Sequence, residues 1–184
     1  MANKIKYGLS QVYYAVATPS TGGALTYATP VAIPGAVNLS LSAEGERNVF
    51  YADNVEYFVS ESNNGYAGTL EVALLPESFK TAVLQETVNT AGVYVEHANV
   101  APKEFALLFQ FEGDDKATRH ALFRCICSRP DVAGATKEAS IEPQTETLNI
   151  TALPRLNDFV VKGSCPQTAS TAYAAWYTAV VTVS

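Results

Sequence analysis

Charge is scarce in this chain. Of 184 residues, only 16% are Asp, Glu, Lys or Arg, where a small soluble domain usually carries about a quarter. What charge there is leans acidic, with 12 Lys and Arg against 18 Asp and Glu, a net charge of −6. That balance excludes tight binding of nucleic acid by phosphate neutralisation, which needs clustered Lys and Arg. It leaves room for a duplex that passes nearby without being gripped. Histidine is confined to His97 and His120, so imidazole catalysis has little to draw on; His120, beside Arg119, reads as a surface histidine. The three cysteines form no framework pattern. Cys125 and Cys127, two apart, share a strand face with Phe123 and Ala121 and read as small core hydrophobes rather than a metal or redox pair. No G-x-S-x-G elbow, phosphate-binding loop, H-E-x-x-H or G-x-G-x-x-G occurs. No apolar run has the length of a membrane span, and the N-terminal MANKIKYGLSQ lacks the apolar core of a secretory signal. The expectation is synthesis in a cytoplasm, without membrane anchor, catalytic residue, cofactor or metal.

What the chain does have is apolar content, 48% of residues, enough for one domain with a sizeable core or for a core and a covered surface. Period-two alternation runs through it. In Ala36–Ser42, the set Val37, Leu39 and Leu41 faces one way and Asn38, Ser40 and Ser42 the other. Asn54–Ser60 alternates Val55, Tyr57 and Val59 with Glu56 and Ser60. Gly68–Leu75 turns Leu70, Val72 and Leu74 inward. Phe105, Leu107, Phe109 and Phe111 form an inward stripe, and Leu148 and Ile150 do the same within Thr145–Ala152. Asn63-Asn64-Gly65 suits a tight turn with positive φ, and Glu112-Gly113-Asp114-Asp115 a hairpin loop.

One stretch departs from the β rhythm. Proline and an acid open a helix over about 76–86, with Phe79 and Val83 one turn apart. Tyr173, Trp176, Tyr177 and Val180 have helical spacing and predict a short helix running into a final strand, Ala179–Ser184. Thr18–Tyr27 and Val161–Thr171, rich in small and polar residues, read as mobile connections. The pattern is that of a mainly β single domain, a sandwich or barrel with one flanking helix. Glu142 and Glu146 make a poor acid–base pair, since they sit on one strand beside a proline. Asp114 and Asp115 lack calcium-loop spacing. Trp176 with Tyr173 and Tyr177 reads as core or subunit contact ahead of a ligand platform.

Four segments carry a more specific signal: Pro30–Phe58, Asn63–Phe79, Pro102–Cys125 and Thr136–Arg155. In that order and spacing they resemble the major tail proteins of long-tailed bacteriophages, the subunits of the tail tube. The resemblance implies a structural virion protein, made in the bacterial host and located in the phage tail. It implies hexameric rings stacked into a tube through which DNA passes without specific binding. It also implies tape-measure, tail-terminator and tail-tip proteins as partners. Residues 1–10 then form an N-terminal arm and 156–184 a C-terminal segment. Ala36–Ser42 and Asn54–Ser60 match the region that such proteins use for the inner wall, which makes Asn38, Ser40, Ser42, Glu56 and Ser60 lumen candidates, Glu56 the foremost acidic one. The intervening loop 43–53 matches the ring-stacking element, with Glu44, Glu46, Arg47, Asn48 and Asp53 as inter-ring candidates. The rival is a β-sandwich surface or carbohydrate-binding module, which predicts convergent exposed aromatics; an enzyme ranks third.

Overall fold

The alternating stripes fold into one antiparallel sheet of nine strands, with two separate two-stranded ribbons beside it. The computed structural model describes residues 5, 7–113, 117–136 and 143–181. The chain opens with β1 (Tyr7–Pro19), a 3-10 turn at Thr21–Gly23, β2 (Leu25–Tyr27), β3 (Val31–Ala32) and β4 (Ala36–Glu44). Next come β5 (Arg47–Ala52), β6 (Val55–Glu61), β7 (Gly65–Val72), helix α1 (Glu77–Ala82), β8 (Thr87–Val88) and β9 (Tyr94–Val95). It closes with β10 (Phe105–Glu112), β11 (Arg119–Cys127), β12 (Glu146–Ala152), β13 (Lys162–Cys165) and helix α2 (Ser170–Ala175). The main sheet runs β2-β1-β10-β11-β12-β7-β4, with β3 on β1 and β13 on β11.

Residues 31–44 curl this sheet round a core. At one end Val31 and Ala32 oppose Tyr14 and Tyr13 of β1; at the other, β4 runs along β7. One segment thereby joins the two ends of the sheet, as the mainly β sandwich or barrel expectation requires. Tyr14, Leu70, Phe105, Leu107, Leu122 and Leu148 meet inside. Helix α1 plugs the core. Its Phe79 is fully buried, edge-on to Tyr14 at 4.9 Å and to Phe105 at 5.5 Å between centroids, and full burial of such a ring is worth about 2–3 kcal/mol. The helix starts after Pro76, as expected, but ends at Ala82, and the chain leaves it through Gln85 at φ 61.

A second apolar cluster lies on the other side of the sheet. Ala15, Ala106, Leu108, Ala121 and Phe123 are covered there by Trp176, Val180 and Cys165. Strand β10 is therefore buried on both faces: the Phe105, Leu107 and Phe109 stripe points into the first cluster, Ala106 and Leu108 into the second. Arg119 pins the C-terminal cover. Its guanidinium lies 3.7 Å from the Tyr173 ring centroid and 4.6 Å from that of Tyr177, and Tyr177 stacks on Tyr13 at 4.6 Å.

Several expectations fail for identifiable reasons. Phe105 opposes Cys125 while Leu107 opposes Leu122, so β11 carries one residue too many between these pairs. A bulge of this kind reverses the alternation, and Cys125 and Cys127 join the first cluster while Ala121 and Phe123 join the second. A register shift between Ala36 and Asn38 likewise turns Ala36 inward and leaves Val37 53% exposed. Strand β7 stops at Val72, although Ala73 N–H still donates to the Gly35 carbonyl (2.8 Å), and beyond it Leu75 rather than Leu74 is buried. Thr18–Tyr27 is a closed hairpin in which Ala17, Thr18 and Pro19 oppose Tyr27, Thr26 and Leu25. Within Val161–Thr171, β13 pairs with the first half of β11. The expected final strand is absent from residues 179–181, and 182–184 lie outside the described residues, as do Asp114, Asp115 and Glu142. Residues 7–10 of the expected N-terminal arm belong to β1.

Candidate assembly surface

Strands β4 and β7 do not end at the barrel rim. Glu44 opposes Gly65, Asn64 N–H donates to the Glu44 carbonyl (2.8 Å) and Ser62 N–H to that of Glu46 (3.0 Å). Pairing then resumes with Arg47 opposite Glu61 and continues to Ala52 opposite Val55. The result is one long hairpin whose outer half, β5–β6, leaves the main sheet as an arm. Its turn is Asp53-Asn54, with φ of 52° and 63°. Two central residues with positive φ make the type I′ turn, whose twist matches that of paired strands. Two glycines permit the joint at its base. A Cβ on Gly45 would stand 2.1 Å from the Ser62 carbonyl oxygen, and one on Gly65, at φ 107°, would stand 1.9 Å from that of Ala152.

The expected loop 43–53 is therefore not a loop. Residues 47–52 are a strand, and their partner is β6 (Val55–Glu61), which covers most of the expected strand Asn54–Ser60. The Asp53-Asn54 turn was the overlooked signal, flanked as it is by alternating residues on both sides. Asn63-Asn64-Gly65, expected as the tight turn, instead forms the joint, where the Asn63 side-chain oxygen accepts the Gly65 N–H at 3.1 Å.

The arm is unusually apolar for something so exposed. Phe50, Tyr51, Val55, Tyr57, Phe58 and Val59 are between 41% and 71% exposed. Phe50 directly opposes Phe58, and Asn48 opposes Ser60, so these four share one face. The other face carries Val49 opposite Val59 and a polar cluster. There Arg47 Nη2 donates to Glu56 Oε2 at 2.9 Å, and Tyr51 OH to Glu56 Oε1 at 3.2 Å. A bulge between Phe50 and Tyr51 places Glu56 opposite Tyr51, which breaks the simple alternation expected of Glu56 and Ser60. Glu56 thus does not form a bare acidic band: Arg47, the expected inter-ring cation, neutralises it on the same arm.

The other lumen candidates lie elsewhere. Asn38, Ser40 and Ser42 are exposed on β4, opposite Glu71, Thr69 and Ala67 of β7, which in turn oppose Thr147, Asn149 and Thr151 of β12. These rows form one polar face three strands wide; its charges are Glu71, which accepts a hydrogen bond from Thr145 at 2.6 Å, and Glu44, which follows Ser42 on the same side of β4. The structure joins Glu56 and Ser60 to Arg47 and Asn48 on the arm, and separates all four from the β4 face. Glu44 ends β4, Glu46 lies in the joint and Asp53 in the turn, all exposed.

The remaining reactive side chains serve the fold. Burial pushes both Cys125 and Cys127 thiols up, Cys127 to about 12, so neither is a thiolate near neutrality. His120 is half-buried, stacked on Phe109 at 5.3 Å, and not a free surface histidine. Glu146 accepts the Leu75 N–H at 2.6 Å. Trp176 is 5% exposed, core rather than platform. Among the described residues, no three His, Cys, Asp or Glu gather as a metal site requires, and no helix is long and apolar enough to cross a membrane. No protein-family model matches the chain, and no curated protein is significantly similar to it.

Proposed function

We propose that this protein is a structural subunit that assembles with copies of itself into stacked rings, as the tail tube of a long-tailed bacteriophage. The observation that carries the reading is the β5–β6 arm. A two-stranded ribbon is marginal alone in water, and contiguous apolar surface of this kind marks an interaction site. An arm that reaches from the barrel and bears Phe50 and Phe58 on one face suits insertion into a neighbouring copy. The family resemblance supplies the ring and tube geometry and, with it, the virion location and the tape-measure, terminator and tip partners. The β4–β7–β12 face, polar and free of Lys and Arg, suits a conduit wall, because a cationic wall would release counterions and hold DNA.

A sugar-binding module is the second reading, favoured by the exposed aromatic rings. Those rings are divided between two faces of a narrow ribbon, which gives a saccharide no single platform. Sedimentation separates the two. Wild-type protein at high concentration is expected to sediment far above 19.7 kDa, and Phe58→Asp to sediment as a monomer with an unchanged melting transition. Monomeric wild type, with a melting point that rises on adding an oligosaccharide, supports the module.

A further inference from the structure

The joint at the base of the arm holds the chain's one Asn-Gly step, Asn64-Gly65. Such a pair is chemically fragile. The backbone nitrogen that follows an asparagine can attack the side-chain carbonyl carbon, and a glycine there, with no Cβ, leaves the approach unhindered. Here the new bond runs from Gly65 N to Asn64 Cγ. The C–N bond of the Asn64 side-chain amide breaks, and the proton lost by the Gly65 nitrogen leaves with that amide as ammonia. Water then opens the five-membered succinimide. Opening at one carbonyl gives aspartate. Opening at the other gives isoaspartate, in which the main chain runs through the former side chain.

The structure exposes one partner of this reaction and restrains the other. Asn64 is exposed, and residues 62–64 belong to no strand, whereas Gly65 is buried. Asn64 N–H donates to the Glu44 carbonyl at 2.8 Å. Gly65 N–H carries the proton that attack must release, and it donates to the Asn63 side-chain oxygen at 3.1 Å. Asparagine commonly bonds its own backbone two residues on; at this position the bond occupies the attacking group. We propose that Asn64-Gly65 is a latent self-modification site, at which the Asn63 side chain holds back isoaspartate formation. Conversion alters the joint in two ways. It inserts one extra atom into the main chain where β6 passes into β7, at a glycine whose added Cβ would already stand 1.9 Å from the Ala152 carbonyl oxygen. It also leaves a carboxylate beside Glu44, which opposes Gly65. The arm then no longer continues the line of β4 and β7, and converted chains drop out of assembly. That last consequence rests on the assembly reading; the covalent site does not.

Peptide mapping by mass spectrometry tests the site. Wild type, Asn63→Ala and Asn63→Asp are kept at pH 8, native and unfolded in urea, with melting curves to show that the variants fold. The readout is the gain of one mass unit at Asn64 (ammonia lost, water gained), each native rate being divided by that of the same chain unfolded. The ratio for Asn63→Ala is expected to exceed that of wild type by roughly threefold to tenfold, the rate equivalent of one net hydrogen bond. Asn63→Asp keeps an acceptor oxygen at the same reach and is expected to match wild type. Equal ratios for wild type and Asn63→Ala overturn the proposal, as does a rise in Asn63→Asp equal to that in Asn63→Ala. If Asn63→Ala does not fold, hydrogen exchange in wild type decides: the Gly65 amide is expected to be protected, and exchange at the unprotected rate overturns the proposal. Sedimentation of aged Asn63→Ala separates the site from the assembly reading. Isoaspartate with loss of large assemblies supports both, whereas isoaspartate with assembly undiminished supports the site and counts against the arm.

Discussion

Gly65 sets the direction of the arm. Its φ of 107° is closed to other residues at low cost, and an added methyl would sit 1.9 Å from the Ala152 carbonyl oxygen. Gly65→Ala therefore has to distort the junction of β6, β7 and β12. Strain at such a φ costs about 1–3 kcal/mol, and the backbone clash adds to it. The expected outcome is a fall in melting temperature of at least roughly 4 °C for a chain of this size, read by circular dichroism, and an arm no longer held in line with β4–β7. An unchanged melting point would mean that the joint is not as described. The cysteines give a second residue-level test. With Cys127 pushed to about 12 and Cys125 also raised, both thiols remain protonated throughout the neutral range. Maleimide at pH 8 is expected to label neither until denaturant is added; rapid labelling of the native protein would contradict their burial.

At the scale of the element, the arm shows what alternation can and cannot reveal. The stripes of β10, β12 and α1 were legible because each pairs a strong apolar period with deep burial: Phe105, Leu148 and Phe79 are all fully buried. Only one half of the arm was legible: Asn54–Ser60 alternates and β6 is Val55–Glu61, whereas 43–53 reads as a loop because Glu44, Glu46 and Arg47 interrupt its apolar residues. The bulges at Val37 and within β11 were equally hidden, because a single extra residue leaves composition untouched and reverses every side chain beyond it. Glu56 was recognised as exposed, but its neutralisation by Arg47 depends on that ribbon pairing. The pair itself contributes little to stability, since its side chains are 55% and 43% exposed and such pairs are worth about 0–1 kcal/mol. Glu56→Lys is thus expected to shift the melting point by less than about 2 °C. It places two cations together on the arm and should weaken assembly at low salt, with recovery when added salt screens the repulsion. Assembly that is indifferent to salt in this variant would remove the Arg47–Glu56 face from the contact.

For the whole molecule, burial and exposure divide the work. The barrel is filled on one side by the Phe79 plug and covered on the other by the Trp176 segment. The arm has the reverse character, apolar surface held outward on well-bonded backbone. The fold class was legible in the sequence; the proposal of stacked rings rests on the family resemblance, and the candidate surfaces come from pairing and exposure. The central claim is that the arm drives copies of this chain into stacked rings. Electron micrographs of purified wild-type protein and of Phe58→Asp, at the same concentration and salt, test it most directly. The account predicts rings or tubes for the wild type and dispersed monomers for the variant. Monomers alone in the wild type across a wide range of concentration and salt, or tubes of equal length and number in the variant, would contradict it.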